Sequence, residues 1–339
     1  MEHIAIDLGG RESQICVRSE AGEIVEERKH ATRSLRRYLK TRGASRVVVE
    51  TCAEAFSVAD IAMELGHEVR VVPASLVGSL GIGSRNLKTD KRDAQILSEV
   101  SCRVDLPSVH IPKQDSRNRK TMCGMREQLI GARTQLINCV RGWLRGQAIR
   151  VRTGATASFP TRVRQAAKDM PPYVERLLRS VEQLTEEIRL ADQELKELVK
   201  DDALLQRLCT VPGVGPVTAI RFAAAIDDVD RFKNAHQLES YLGLVPGEKQ
   251  SSAKQHRLGI TKAGSSAVRR VLIQAAWAVR RVRSPQPMMQ WALGIEHRRG
   301  KFVATVALAR KLAGILYALW RDGTTYDARL GAGTLAQPT

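Results

Sequence analysis

Aromatic side chains are scarce in this sequence, and acidic side chains are scarce relative to basic ones. Phe, Trp and Tyr make up 4% of the 339 residues, which argues against recognition by stacking bases on an aromatic platform. Lys and Arg number 54 against 36 Asp and Glu, so the formal net charge is +18. This excess predicts a polyanionic partner, nucleic acid before a membrane surface, bound mainly through its phosphates.

Paired cysteines and an uninterrupted apolar run are also missing. No two of the six cysteines form a Cys-x-x-Cys pair, and none has histidines at zinc-site spacing, so we expect thiols in a reducing compartment. The most apolar long stretch, 302–320, contains Arg310 and Lys311 near its middle, and the N-terminus has no basic-then-apolar signal. We therefore expect a soluble, cytoplasmic protein with no membrane partner.

The first hundred residues alternate between strand and helix patterns. Apolar runs predict strands at 3–8, 13–19, 24–28, 46–50 and 68–73, and helices near 31–41, 54–65 and 89–102. The resulting order, β-β-β-α-β-α-β-α, is that of the ribonuclease H-like fold. We expect an α/β domain of this class over residues 1–112.

Four carboxylates occupy positions that this fold would bring together. Asp7 and Glu50 end two of the strands, and Asp90 and Asp93 lie one turn apart at the start of the 89–102 helix. An all-oxygen ligand set suits Mg²⁺, and two such ions can hold the attacking and leaving oxygens of a phosphodiester. Each acid alone fits a turn or a solvated surface equally well, with Lys88, Lys91 and Arg92 as partners for the helical pair. The four together favour a metal site.

The middle of the chain has the pattern of two long helices. Apolar residues recur at steps of three and four over 118–145 and 174–199, which predicts heptad seams within a coiled-coil domain at 113–200. The seams can pair within the chain as an antiparallel hairpin or between chains, and we favour at least some pairing between chains.

Between the two seams, residues 141–168 contain no acid and look loop-rich. Uncompensated cations in such a stretch favour phosphate binding over a solvated loop. The predicted nucleic-acid contacts here are Arg141, Arg145, Arg150, Arg152, Arg162 and Arg164.

A mainly α domain is expected over 201–325, followed by a loose tail at 326–339. Its Pro-Gly-Val-Gly segment is typical of a helix-hairpin-helix, in which Gly213 and Gly215 let a phosphate approach the backbone, although a plain connection between helices shares the pattern.

Residues 249–283 are again free of acids. Ser251 and Ser252 lie in this stretch, which we expect to be a basic loop followed by a helix. A hydroxyl there can donate to a phosphate or attack phosphorus with the nearby cations stabilising the charge. The predicted phosphate contacts are Lys254, Arg257, Lys262, Arg269 and Arg270.

Together these motifs resemble the DEDD-type insertion-sequence transposases, the bridge-RNA-guided serine recombinases. The match rests on Asp7 in Ile-Asp-Leu-Gly, Glu50 in Val-Val-Glu-Thr, and the pair in Lys-Thr-Asp90-Lys-Arg-Asp93-Ala. It continues through Val-Pro-Gly-Val-Gly, Leu-Gly-Leu-Val-Pro and Ile-Thr-Lys-Ala-Gly, so that it covers about 1–103 and 205–280.

The resemblance implies a RuvC-like DEDD domain, a coiled-coil domain and a transposase domain. It also implies a nucleophilic serine five residues after Pro246 and eleven before Lys262, which is Ser251. Ser252, where the family usually has glycine, is the alternative nucleophile.

The implied activity is RNA-guided strand exchange through a covalent 5′-phosphoserine link, with Mg²⁺ held by the four carboxylates. The implied partners are a guide (bridge) RNA, donor and target double-stranded DNA, and further copies of the chain in a tetramer built as a dimer of dimers. The implied location is nucleoid-associated, in a bacterial or archaeal cytoplasm.

Three other functions share parts of this pattern. A metal-dependent nuclease or junction resolvase would use the carboxylates with water as nucleophile, but has no evident use for the basic block at 205–283. A sugar-kinase or actin-like ATPase can begin with Asp-Leu-Gly-Gly, yet the sequence has no second Asp-Gly loop or adenosine motif. A non-catalytic nucleic-acid scaffold fits the charge but leaves the four carboxylates unexplained.

Overall fold

The chain forms two compact units, Met1–Pro112 and Lys113–Thr339. The structure, a computed structural model, describes residues 1–77, 90–251, 254–281 and 287–328, with the side chains of all of these except 249–251 and 254–257. The predicted helical region and the predicted C-terminal domain lie together in the second unit.

The first unit is built on a five-stranded mixed sheet with the strand order β3-β2-β1-β4-β5. Strands β1 to β3 form an antiparallel meander, and β4 and β5 run parallel to β1. The strands are β1 (His3–Asp7), β2 (Glu12–Arg18), β3 (Ile24–Ala31), β4 (Arg46–Glu50) and β5 (Glu68–Val72). The helices are α1 (Leu35–Lys40), α2 (Ala55–Glu64), α3 (Ala74–Val77) and α4 (Asp90–Arg103). A mixed α/β sheet is therefore confirmed, although β3 is longer and α1 shorter than predicted.

Both faces of the sheet are covered by helices. Side chains alternate along each strand, so neighbouring residues of β1 belong to different faces. Ile4 and Ile6 of β1 pack on one face with α1 and α2. Ala5 lies on the other face, in a cluster with Leu97 of α4. Helix α4 therefore covers the face opposite to α1 and α2.

In the second unit, two long helices form an antiparallel hairpin. They are α5 (Gln114–Gly146) and α7 (Pro172–Lys200), with the short α6 (Phe159–Ala166) between them. Arg126 Nε lies 2.5 Å from Asp192 Oδ1, and nearer the tip Arg133 Nη1 donates to Thr185 Oγ1 at 3.4 Å. Pairing within the chain, one of the two predicted arrangements, thus holds for these helices, and further pairing between chains stays a prediction. The 141–168 stretch is more helical than predicted, since α5 extends into it and α6 lies within it.

The rest of the second unit is a helical core with one β-hairpin. The helices are α8 (Ala203–Cys209), α9 (Pro216–Ile226), α10 (Ala235–Tyr241), α11 (Ser266–Arg281), α12 (Pro287–Arg299) and α13 (Lys301–Asp322), and the hairpin is β6 (Pro246–Ser251) with β7 (Lys254–Ile260). A single apolar cluster joins these helices, with Phe222, Leu272 and Leu312 fully buried in it.

Helix α13 is, among the described helices, the one long and apolar enough to cross a membrane by length and composition. Its side chains instead form the centre of the helical core, where Leu308, Leu312 and Leu316 are fully buried. Lys311 is buried as well, with Nζ 4.5 Å from the centre of the Trp291 ring, and burial lowers the pKa of its ammonium group. The packing is that of a core helix.

Candidate active site

Strand register places two of the predicted acids side by side. Ile6 of β1 stands opposite Val49 of the parallel β4, so Asp7 and Glu50 follow as neighbours at the carboxyl ends of their strands. Alternation puts Asp7 on the face of Ala5, which is the face that α4 covers. Adjacent strands lie about 4.8 Å apart, so both carboxylates belong to one small region of this face. Each is partly buried.

The direction of α4 brings the other two acids to the same corner. His3 Nδ1 is hydrogen-bonded to Ser101 Oγ at 2.8 Å, and Ala5 packs in the cluster of Leu97, so the helix runs antiparallel to β1. Two residues of a strand span nearly the same length as four residues of a helix. Continuing the register places Asp93 level with Asp7. Asp93 is 4% exposed, and Asp90 begins the helix one turn earlier in an exposed position.

Hydrogen bonds to β2 and β3 fix α4 in this position. Arg18 Nε donates to Ser98 Oγ at 3.0 Å, and Gln95 Nε2 donates to Glu27 Oε1. Lys91 Nζ lies 3.2 Å from Glu27 Oε2. Burial raises the pKa of Glu27, but the hydrogen bonds from Gln95 and Lys91 outweigh it and the net pKa is lowered. Lys91, a predicted partner for the helical acid pair, thus pairs with β3.

The chemistry of this corner suits a hard divalent cation, because it offers carboxylate oxygens from Asp7, Glu50, Asp90 and Asp93. Among the described residues, no three His, Cys, Asp or Glu side chains are placed closely enough to hold a metal ion. Strand register and the direction of α4 therefore place these acids in one region of the sheet face, without bringing three of them to metal-binding distance of each other. The predicted caps and partners at 88–89 lie outside the described residues.

The predicted nucleophile lies at the tip of the β6–β7 hairpin. Ser251 is the last residue of β6 and stands opposite Lys254, the first residue of β7. The sequence predicts a loop here, and that prediction is wrong: polar residues dominate 247–257, so the apolar alternation that marks a strand is missing. Ser252 lies outside the described residues, as do the side chains of Ser251, Lys254 and Arg257.

Two glycines hold the base of this hairpin. Gly243 and Gly264 have φ of +68° and +66°, a region that favours glycine. A Cβ on Gly243 would collide with the backbone of Ala263, and a Cβ on Gly264 would collide with the carbonyl of Tyr241. The Leu-Gly-Leu-Val-Pro and Ile-Thr-Lys-Ala-Gly segments therefore contact each other backbone to backbone. This contact between the two segments was not predicted from the sequence, because it depends on the backbone conformation of Gly243 and Gly264.

Arg269 and Arg270, both predicted phosphate contacts, are engaged within the chain. Arg269 Nη1 donates to the carbonyl oxygens of Leu242 and Gly264, each at 3.1 Å, and also to that of Ala263. Arg270 pairs with Glu127 of α5, which also accepts from Arg221. Arg269 thus ties α11 to the base of the hairpin. Lys262 is exposed at the same base, with φ of +58°.

The two glycines of the predicted helix-hairpin-helix differ in their surroundings. Gly213 has φ of +80°, and a Cβ there would meet the carbonyl of Ala275 at 2.5 Å and Val279 Cγ2 at 2.8 Å. Its lack of a side chain is therefore needed for close packing against α11. Gly215 precedes α9 as its N-cap, and a Cβ there would meet nothing within 4 Å. Of the two glycines, Gly215 is therefore the one with open space beside its backbone that a ligand could occupy.

Two of the predicted arginines at the tip of the α5–α7 hairpin are bonded to other residues of the chain. Arg164 bridges Glu175 and Glu182 at 2.8 and 2.5 Å, and these two carboxylates raise its pKa. Arg162 Nη1 donates to the Ala155 carbonyl at 2.9 Å.

The other predicted arginines at this tip are exposed. Arg141 lies over the Phe159 ring, with the guanidinium carbon 5.6 Å from the ring centre. Three further side chains have no hydrogen bond or ion pair with any described residue; they are Arg145, Arg150 and Arg152.

Comparison with known families gives two matches. Residues 4–148 match the model of the IS110-type DEDD transposase domain, and residues 205–291 match the model described as the IS116/IS110/IS902 transposase family. These matches cover both the carboxylate corner and the serine hairpin.

Individual proteins are similar along most of the chain. A protein of Pseudomonas aeruginosa named "Probable family 20 transposase" is 31% identical over 337 residues, covering 96% of this chain and 98% of that protein. The transposase for insertion sequence element IS1328 of Yersinia enterocolitica is 28% identical over 330 residues, with 96% and 98% covered. The pilin gene-inverting protein of Moraxella bovis is 27% identical over 259 residues, with 74% and 71% covered.

Proposed function

The chain belongs to the IS116/IS110/IS902 family of transposases, and from this premise we propose that it is an RNA-guided DNA recombinase acting through a covalent 5′-phosphoserine. Membership makes it the transposase of a mobile element and indicates DNA binding and divalent-metal use. Beyond family membership, we propose the nucleophile, the RNA guide and Mg²⁺ as the metal ion. The observation that carries it is the strand register, which places Asp7 and Glu50 side by side where β1 and β4 end, on the face of the sheet that α4 covers.

In this mechanism, the Ser251 hydroxyl attacks a backbone phosphate. A bond forms between Oγ and phosphorus, the bond from phosphorus to the 3′-oxygen breaks, and the serine proton is transferred so that the leaving strand ends in a 3′-hydroxyl. Attack by the 3′-hydroxyl of another strand then restores a phosphodiester and the free serine. Each step exchanges one phosphate ester for another, so no external energy source is needed.

Asp7, Glu50, Asp90 and Asp93 are the residues that would hold Mg²⁺ for this exchange. Bound metal ions would neutralise charge on the phosphoryl oxygens and on the attacking or leaving oxygen. Asp7 and Glu50 are fixed by the ladder of β1 and β4, and the helical acids by the packing of α4. A ribonuclease H-like, RuvC-like identity for this unit belongs to the proposal, and the order of elements supports it.

The partners proposed are a guide RNA, donor and target duplex DNA, and further copies of the chain in a tetramer. The net charge of +18 and the exposed arginines at the α5–α7 tip support binding of nucleic acid through phosphates. The relative named for inverting a pilin gene supports recombination over simple hydrolysis, since inversion requires that cut ends be rejoined.

A trapping assay tests the nucleophile. The full chain is incubated with RNA transcribed from its own element, Mg²⁺, and a nicked suicide substrate that contains the element end and is labelled at the 3′ end of the cut strand. We expect a denaturant-stable protein–DNA adduct with wild type and Ser252→Ala, and none with Ser251→Ala or Asp7→Asn. Omission of the RNA should abolish the adduct.

Other outcomes would change the mechanism. An adduct lost only in Ser252→Ala moves the nucleophile by one residue. Cleavage without an adduct in any variant makes water the nucleophile and contradicts the proposal in favour of a metal-dependent nuclease or resolvase.

A further inference from the structure

A cavity of about 530 Å³ opens beside the carboxylate corner, within the first unit. Asp90, one of the four acids, forms part of its wall. The remaining lining comes from the start of β2 and from β3: Arg11, Glu12, Ser13, Gln14 and Lys29. No step proposed so far uses these five residues.

Strand register connects this cavity to the carboxylates. Gln14 of β2 stands opposite Asp7 of β1, and Lys29 of β3 stands opposite Gln14. Residues paired across a sheet share a face, so Lys29, Gln14, Asp7 and Glu50 form one row on the face that α4 covers. Lys29 is two strand spacings from Asp7, about 10 Å along this row.

The Gln14 amide indicates what kind of ligand the cavity takes. The residue is only 7% exposed, yet its side chain makes no hydrogen bond to any residue that the structure describes. The Gln14 amide is not among the buried side-chain groups that lack a hydrogen-bond partner, and it lines the open cavity, so it stays accessible to solvent there. A ligand that enters the cavity and accepts hydrogen bonds can therefore replace water at this amide.

The charges at the cavity favour an anion once the metal site is accounted for. Arg11 and Lys29 are exposed and have no ion pair within the described part of the chain. Asp90 is proposed to serve the metal, which leaves Glu12 as the one acid facing two cations. A phosphodiester combines a negative charge with hydrogen-bond acceptors, and Gln14 and Lys29 are both donors.

We propose that this cavity binds the sugar-phosphate backbone of the DNA strand immediately next to the scissile phosphate. Lys29 and Arg11 contact phosphate oxygens, Gln14 donates a hydrogen bond to the same backbone, and Glu12 weakens binding. The inference rests on the proposed function, because it takes the row of carboxylates as the place of cleavage. These are positioning residues, since they hold the strand and leave the reacting atoms to Ser251 and the carboxylates.

Binding without cleavage tests this site. The full chain carrying Ser251→Ala is titrated onto a labelled duplex containing the element end, with its RNA, over a series of KCl concentrations. Adding Lys29→Met should weaken binding and reduce the slope of log K against log salt by about one, as expected for one lost phosphate contact. Lys40→Met is the matched control, because Lys40 is exposed on α1, which packs on the opposite face of the sheet. It should change neither quantity.

Two further variants separate charge from hydrogen bonding. Gln14→Met keeps the length of the side chain and should weaken binding with an unchanged salt slope, whereas Glu12→Gln should tighten it. A Lys29→Met variant with the same affinity and slope as Lys40→Met would overturn the proposal. Because Lys29 is exposed, that result cannot be ascribed to misfolding. Gln14 is buried, so circular dichroism is used to check that the Gln14→Met variant folds.

A neutral methylphosphonate next to the scissile phosphate locates the contact. It should weaken binding by the Ser251→Ala protein and add nothing in the Ser251→Ala, Lys29→Met double variant, as expected for a direct pair. A full additive loss in the double variant places the contact elsewhere and contradicts the proposal. Failure of the proposed function looks different: no adduct forms with wild type, while these binding differences persist.

Discussion

At the scale of single residues, the structure separates acids that share one region of the sheet face from an acid that is merely near them in sequence. Asp7 and Asp93 are 86 positions apart but level with each other, because α4 runs back along β1. Asp105 lies two residues beyond α4, is 78% exposed, and pairs with Arg70 at 3.0 Å. Like charges brought together repel each other, and a bound cation relieves that repulsion.

We therefore expect Mg²⁺ to stabilise the wild-type chain against heat. A ligand that binds only the folded state adds RT ln(1 + [L]/Kd), about 2.7 kcal/mol at a hundredfold excess over Kd. Asp93→Asn should abolish the Mg²⁺-dependent rise in Tm, and Asp105→Asn should leave it intact. Equal rises in all three proteins, measured by differential scanning fluorimetry, would exclude a metal site at this corner.

The contact between His3 and Ser101 attaches β1 to α4, and it leads to a prediction about how stability depends on pH. Burial, followed by the charge of Arg46, lowers the pKa of this imidazole from its usual value near 6.5. The folded state then binds fewer protons than the unfolded state at mildly acidic pH. The stabilisation is fully present above about pH 6.5 and is lost as the pH falls through the lowered folded-state pKa.

Urea unfolding of the full chain at a series of pH values measures this effect. Wild type should lose free energy of unfolding as the pH falls below about 6.5, and His3→Gln should show a shallower loss over the same range. His110→Gln is the control on another histidine of the same unit. Parallel curves for wild type and His3→Gln would contradict the assignment.

A residue's place in a strand or helix can be predicted from the sequence, whereas its partner in the fold cannot. The ends of β1 and β4 and the first turn of α4 were predicted from the sequence, so the positions of the four acids in these elements are confirmed, while their role as a metal site stays a prediction. That Arg164 faces Glu175 and Glu182, or that Arg269 donates to backbone carbonyls, depends on tertiary packing. A count of cations in an acid-free stretch contains no such information.

At the scale of secondary-structure elements, apolar periodicity gave the strands of the sheet and the long helices, because packing selects those patterns. It gave no sign of β6 and β7. This hairpin is held by its base, where Thr261 N donates to the Val245 carbonyl at 2.9 Å and Lys262 N donates to that of Gly243 at 3.1 Å. Its orientation depends on two glycine conformations and on Arg269.

Alanine at these glycines should displace the hairpin. Gly243→Ala and Gly264→Ala each place a methyl group against the opposite backbone at positive φ, a change expected to cost more than about 1 kcal/mol. We expect both variants to lose adduct formation in the trapping assay more than they lose DNA affinity. Gly259→Ala is the control within the same hairpin, since a Cβ there meets nothing within 4 Å. Full adduct yield from Gly243→Ala would show that the base does not position the serine.

Arg269→Lys tests the same base without a steric clash. Lysine keeps the charge but has no planar fork with which to reach several carbonyl oxygens at once. Adduct yield should fall in Arg269→Lys while the salt dependence of DNA binding stays unchanged. A reduced salt slope would instead restore Arg269 to its predicted role as a phosphate contact.

At the scale of the whole molecule, the net charge of +18 is distributed unevenly. Many arginines are neutralised by acids within the same unit, as Arg126 is by Asp192 and Arg119 by Asp202. Exposed arginines without such partners collect where α5 ends. The sequence total correctly predicts a polyanionic ligand, but only the structure shows which cations are available to it.

Two variants at the α5–α7 tip test this distinction. Arg150 and Arg152 are exposed and have no ion pair with a described residue, so the double change to Gln should remove about two phosphate contacts and lower the salt slope of nucleic-acid binding by about two. Arg164→Gln removes the same kind of charge from the same tip. Because Glu175 and Glu182 already neutralise Arg164, the salt slope should stay near the wild-type value and Tm should fall.

Fluorescence anisotropy with labelled RNA and duplex DNA, each measured over a KCl series, gives the slopes. If Arg164→Gln lowers the slope as much as a single change at Arg150, the net charge alone governs binding and the local ion pairs do not.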